Sequence, residues 1–177
     1  MTSDIIKIDN QGNGFEQAVL LTARIGEFQG LTRKETVQLK MITEEMLSLA
    51  RSVTGEMQAS FWLEATGRSF ELHMMTKTVM DKEKRQLLIS STSSRKNEAA
   101  KSLLGHLRDA FEQAMAAEPT HPENDLPVEI LSDLVYQKYD DPEWDGYERS
   151  VLRRLADDVK IAIRGDSIDM TVSKSFG

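Results

Sequence analysis

Glu44, Ser48 and Arg51 are four and three residues apart. In a helix that spacing lines up a carboxylate, a hydroxyl and a guanidinium on one face. Such a line is a candidate ligand-holding or chemical site. It runs nearly opposite the apolar stripe of its own segment, and Met41 and Leu47 flank it. The plainer account is a solvated helix face. Six Lys or Arg and two Glu lie between Lys82 and Lys101. They would suit phosphate or an acidic partner, although a solvated loop and helix start explains them as well. The run Ser90–Ser94 would accept phosphorylation, or an anion on backbone amides at the next helix start. A flexible linker is the simpler reading. Arg164-Gly165-Asp166 reads as a hairpin turn. Of nine methionines, Met74, Met75 and Met80 are the ones to watch, and the rest are expected to fill a core.

Composition closes off other chemistry. The 177 residues contain no cysteine, which excludes disulfide scaffolds, thiolate zinc sites, iron–sulfur clusters and cysteine nucleophiles. The histidines are His73, His106 and His121, and no two stand at metal-ligand spacing, so a histidine-rich zinc site is not expected. The formal charge of −7 argues against a nucleic-acid partner, which needs a basic face. No basic segment followed by a long apolar run opens the chain, and no apolar run is long enough to span a membrane. The expectation is a cytoplasmic chain with one domain.

These residues are positioned by elements that the hydrophobic pattern predicts. Residues 4–8 are β-branched and read as a strand, broken by Gly12 and Gly14. Apolar residues at helical spacing follow from Phe15 to Phe28, weakened by Gly26 and ended by Gly30. Thr32 with Glu35 forms a capping-box pattern ahead of a helix whose stripe is Leu39, Ile42, Met46, Leu49 and Val53, with Gly55 as its stop. Met57, Ala59, Phe61, Leu63 and Ala65, then Phe70, Leu72 and Met74, alternate with polar neighbours about Thr66-Gly67-Arg68, which predicts an antiparallel hairpin. Trp62 falls on the face opposite Phe61, where a subunit interface would lie. Between Lys82 and Ile89 no period settles an element. A helix is expected over about 96–116, capped by Ser94 or Asn97. The stretch 117–146 holds all four prolines, and ten acidic residues face one lysine between Glu118 and Glu148. It reads as an acidic loop region with a short helix near 128–136. Tyr147, Val151, Leu152 and Leu155 mark a further helix. A hairpin of Val159, Ile161 and Ile163 with Ile168, Met170 and Val172 closes the chain. The order points to a two-layer α+β sandwich, with a mixed, mostly antiparallel sheet and helices on one face.

Three segments together resemble the histidine-kinase-like ATPase (Bergerat) fold, nearest to small anti-sigma-factor serine kinases. Ile42-Thr43-Glu44-Glu45-Met46-Leu47-Ser48-Leu49-Ala50 looks like the N-box helix of that family, in which a glutamate precedes an asparagine by four positions. The strand Leu72-His73-Met74-Met75-Thr76-Lys77-Thr78 falls where the family runs into D-x-G-x-G. Gly146-Tyr147-Glu148-Arg149-Ser150-Val151-Leu152-Arg153-Arg154-Leu155-Ala156-Asp157-Asp158-Val159 is similar to the helix opened by G-L-G-L. The likeness covers roughly 1–78 and 144–177, with 79–143 at the position of the ATP lid, and treats the whole chain 1–177 as one such domain.

The resemblance implies a catalytic glutamate at Glu44, a metal ligand at Ser48 in place of asparagine, and nucleotide contacts at Ser48, Thr76 and Gly146. The departures weaken each of these. Thr76 replaces the aspartate that reads adenine, Thr78 and Met80 replace the glycines, Asp81 comes several residues late, and Glu148 would face triphosphate charge. A hydrogen bond to a charged group contributes about 1.5–3 kcal/mol. Losing the adenine contact alone would weaken binding by roughly one to two powers of ten. The implied function is a regulatory protein-binding module with an impaired nucleotide site, in bacterial signalling or sigma-factor-type control. It would have a protein partner, no cofactor and a homodimer tendency. The alternative is an active ATP- and Mg²⁺-dependent serine kinase with Glu44 polarising the substrate hydroxyl.

Overall fold

The structure, a computed structural model, describes residues 1–9, 11–54, 58–100 and 151–177. The elements are β1 (Ile6–Asp9), α1 (Phe15–Phe28), α2 (Arg33–Val53), β2 (Gln58–Thr66), β3 (Ser69–Lys77) and α3 (Lys82–Ser90). A 3₁₀ turn (Glu98–Ala100), α4 (Val151–Leu155), β4 (Asp158–Arg164) and β5 (Ser167–Ser175) follow. Of the helix expected over about 96–116, only 96–100 is described, and it holds the 3₁₀ turn Glu98–Ala100; the remainder lies outside the described residues. The segment near 128–136 and Gly146 lie outside the described residues.

Alternation decides the sheet. Ala59, Phe61, Leu63 and Ala65 on β2 and Phe70, Leu72 and Met74 on β3 are buried, and the residues between them are not. β4 and β5 do the same through Val159, Ile161, Ile163, Ile168, Met170 and Val172. The strand order is β1-β2-β3-β5-β4 and every pairing in this sheet is antiparallel, so no parallel pair makes it mixed. Two-residue turns at Gly67-Arg68 and Gly165-Asp166 fix the registers, which place Leu72 opposite both Leu63 and Val172. The chain before β1 also pairs with β2, through Thr2 opposite Glu64. Four residues separate Thr2 from Ile6, but three separate Glu64 from their partner Phe61, so the N-terminal strand bulges by one residue.

The helices form one layer over the apolar face. On α2, Leu39, Ile42, Met46 and Val53 are buried as the stripe predicts. Leu49 is only half-buried, whereas Leu47, expected to flank the polar line, is fully buried in the core. The stripe is therefore wider than a strict 3-4 repeat, as suits a helix lying on a sheet with α1 beside it. Thr43 meets Thr22 of α1 at 3.2 Å, and both hydroxyls also bond to carbonyls one turn back, Leu39 and Ala18. That satisfies two buried hydroxyls inside the helix–helix contact.

The link between α1 and α2 is set by local chemistry. Gly30 has φ 78°, and its N–H donates to Glu27 O while Leu31 N–H donates to Gly26 O. This is a Schellman termination, which needs a left-handed residue after the cap. Gly26 stays helical, and a Cβ there would stand 3.2 Å from Leu31 Cδ1, so the glycine lets Leu31 fold over it. Thr32 then accepts Glu35 N–H while Glu35 accepts Thr32 N–H at 2.7 Å. Those contacts with Thr32, together with the Arg68 guanidinium, hold the Glu35 carboxyl below its ordinary range. At the other end of α1, Gly14 has φ 82° and lies against Lys7 O, where a Cβ would come within 2.1 Å. Only glycine permits that approach of helix to strand.

α3 was not apparent in the sequence. Asp81 caps it by accepting Lys84 N–H at 2.8 Å, and Leu88 is the residue it buries fully. The serine-rich segment after it covers the outer edge of β4 instead of forming a free linker. Ser93 N–H donates to Val159 O at 2.9 Å and Val159 N–H donates to Ser93 Oγ at 2.8 Å. Four residues on, Asn97 donates from Nδ2 to Ile163 O at 3.0 Å, and its Oδ1 accepts Ile163 N–H at 2.8 Å. Asn97 Oδ1 also accepts Ala99 N–H, so it caps the 3₁₀ turn as expected of it. These contacts occupy an edge that would otherwise invite another strand.

Two outcomes follow. Asn97→Ala leaves both Ile163 backbone groups without this partner and should destabilise the fold by about 1–3 kcal/mol in urea titration. Burial pushes Asp157 up, but Lys174 at 2.7 Å and Ser175 N–H outweigh it and hold the carboxyl below its ordinary value. A depressed folded value means that this stabilisation is present above the ordinary aspartate range and is lost as pH falls through the folded value. Asp157→Asn should therefore flatten the acid limb of a stability–pH curve below about pH 4.

Candidate functional site

Among the described residues, Glu44, Ser48 and Thr76 share no hydrogen bond or ion pair with one another. Glu44, Ser48 and Arg51 are all exposed on the outer face of α2, beside Met41, which is also exposed. Among the described residues the Glu44 and Ser48 side chains take no hydrogen bond or ion pair. Thr76 is buried on β3, where its hydroxyl donates to Gln58 O at 3.1 Å. The position that the resemblance would assign to adenine therefore carries a short side chain already engaged with the adjacent strand. Thr78 Oγ1 donates to Val53 O at 3.3 Å, joining the end of β3 to the end of α2, and Val79 beyond it is fully exposed. Asp81, the late aspartate, caps α3 and pairs with Lys84 at 3.4 Å. Gly146 lies outside the described residues.

The serine run is divided, with Ser90, Ser93 and Ser94 exposed. Ser91 and Thr92 are buried, and Ser93 Oγ holds the β4 edge. Arg164-Gly165-Asp166 is the β4–β5 turn, with Arg164 on Asp169 at 2.9 Å.

A different grouping appears on the sheet face turned away from the helices. Registers carry the side chains across it in rows. Lys160, Thr171, His73 and Trp62 form one row, and Asp158, Ser173, Glu71 and Glu64 form the next. Trp62 stacks on His73 with ring centres 5.0 Å apart and planes 10° apart. Thr171 Oγ1 lies 3.3 Å from His73 Nδ1, and Glu71 Oε2 lies 3.7 Å from Nε2. Lys160 pairs with Asp158 at 3.1 Å; that bond and charge raise the lysine above its ordinary value against some burial, with Glu98 and Glu71 adding. Met75 is exposed on the same face. The sequence placed Trp62 on this face, but not the stacking or the histidine's carboxylate neighbours. The signal was available: a two-residue turn at 67–68 forces 64 opposite 71 and 62 opposite 73.

No helix among the described residues is long and apolar enough to cross a membrane. Comparison with models of known protein families and with curated proteins finds no match to this chain.

The geometry separates the positions by consequence. Glu44→Ala and Ser48→Ala should each change stability by no more than about 0.5 kcal/mol. Thr76→Val, which removes a hydrogen bond from a buried site, should cost about 0.5–1.5 kcal/mol. Chemical denaturation of the three variants measures both.

Proposed function

We propose that the chain is a regulatory module that binds a protein partner through an ATPase-like sandwich whose nucleotide site is impaired. One observation carries this reading. The groups standing at the nucleotide-recognition positions are engaged in holding the fold: Thr76 on Gln58 O, and Asp81 on the first turn of α3. Reading adenine would require Thr76 to leave a buried bond or Asp81 to uncap a helix. Either change costs about 1 kcal/mol before any contact with the base is made. Glu44 and Ser48 stand on a helix face turned to solvent, where water competes for a metal ion.

The sheet face turned away from the described helices supports the interaction half of the reading. It combines a half-buried Trp62, an exposed Met75 and flanking charges of both signs. Aromatic residues and methionine are enriched in protein interfaces. The partner class follows from the resemblance to anti-sigma-type regulators, and a second copy of the chain is the competing occupant.

Titration calorimetry with ATP and Mg²⁺ should give no heat of binding up to millimolar nucleotide. A dissociation constant in the low micromolar range, abolished by Ser48→Ala, would establish the kinase alternative instead. Affinity capture with wild type and Trp62→Ala tests the partner. A protein retained by wild type and released by the variant is expected, and equal capture by both would remove the sheet face from the interaction.

A further inference from the structure

We propose that Glu64, Glu71 and His73 form a binding site for a divalent transition-metal ion, with Zn²⁺ the best match, on the sheet face turned away from the described helices. A ligand atom from each residue lies within 4.8 Å of the other two. The backbone produces this arrangement. Glu64 and Glu71 are direct cross-strand partners, and His73 is two residues along the same face of β3.

The histidine is prepared as a ligand. Its side chain is only 17% exposed, and Nε2 is shut off from solvent without a hydrogen-bond partner. The ring cannot easily turn away, because Trp62 stacks on one face and Thr171 Oγ1 meets Nδ1. When Nδ1 donates to the threonine oxygen, the Nε2 lone pair points toward the carboxylates. A hydrogen bond on the far nitrogen is the usual way in which a protein fixes the tautomer and orientation of a metal-binding imidazole.

Charge points the same way. Like charges directly opposite in a sheet destabilise it, and Glu64 and Glu71 are such a pair. Among the described residues neither Glu71 nor Glu64 forms an ion pair with a lysine or an arginine. The nearest lysine in the rows, Lys160, is held by Asp158. A divalent ion would neutralise both carboxylates at once. One imidazole with two carboxylates suits Zn²⁺ better than Mg²⁺ or Ca²⁺, which prefer oxygen alone. Three protein ligands leave a fourth tetrahedral position for water or for a donor from outside the chain. The competing account is a protonated His73 that supplies a single positive charge to Glu71, with no metal.

The site does not depend on the regulatory reading, and its test is separate. Zn²⁺ competition against a chromophoric chelator, on the full chain, should give one ion per chain. Affinity should fall at least tenfold in both His73→Gln and Glu71→Gln, and about tenfold in Thr171→Val, which keeps every ligand but frees the ring. In a Trp144→Phe background Trp62 is the sole indole, so Co²⁺ should quench its fluorescence, and His73→Gln should abolish the quenching. Circular dichroism identifies any variant that has lost its fold, and Glu71→Gln, an exposed position, then decides the question. Absence of saturable Zn²⁺ uptake, or uptake unchanged in a folded His73→Gln or Glu71→Gln, overturns the proposal in favour of the protonated histidine.

Discussion

Burial of one face of a five-stranded sheet is the constraint that organises this protein. Fully burying an aliphatic or aromatic side chain contributes about 1.5–3 kcal/mol, and the inward rows of β2, β3, β4 and β5 supply half of the largest fully buried side chains, Phe61 and Phe70 among them. Because the strand period is two, a slip of one residue in any register would turn a whole row to solvent. The helices are bound by the same requirement. α1 and α2 must lie side by side over these rows, which explains why their contact needs Gly26 beneath Leu31 and a paired Thr22 and Thr43.

A sheet covered on one side has ends and edges to close, and much of the polar chemistry is used there. Arg68, in the β2–β3 turn, donates to Gly30 O, Glu35 and the carbonyls of Phe176 and Gly177. One guanidinium thereby ties the α1–α2 link, the start of α2 and the end of β5 to a single hairpin. Arginine suits the task because its donors fan out in a fixed plane. At the far edge, Ser93 and Asn97 satisfy β4 backbone groups with a hydroxyl, a carboxamide and one main-chain amide. Neither set of contacts is strong singly; together they define where the sheet stops.

The functional reading grows from what remains after these structural tasks. The hydroxyl of Thr76 and the carboxylate of Asp81, which the proposed nucleotide reading would assign to a base, are already committed to strand and helix. The sheet face away from the described helices instead gathers an indole, an imidazole and two carboxylates within a few ångströms. Unengaged side chains stand on the outer surface of α2 as well, but the outer sheet surface brings a histidine together with two carboxylates.

The sequence by itself determined the elements whose causes are local. Period-two runs gave both hairpins, a Thr32–Glu35 pair gave the start of α2, and Gly30 gave the end of α1. Each rests on contacts within a few residues, so each is visible in a short window. α3 was not visible, because its nine residues carry four charges and bury one side chain completely. Tertiary structure alone decided that Leu47 is core, that the serine run borders β4, and that Thr76 is occupied. Each depends on a neighbour far away in sequence. The group of Glu64, Glu71 and His73 stands between these cases. Turn length fixed the register and hence the opposition of the two carboxylates, but the orientation of the imidazole came from Thr171, which reaches β3 only when the last hairpin folds back beside it.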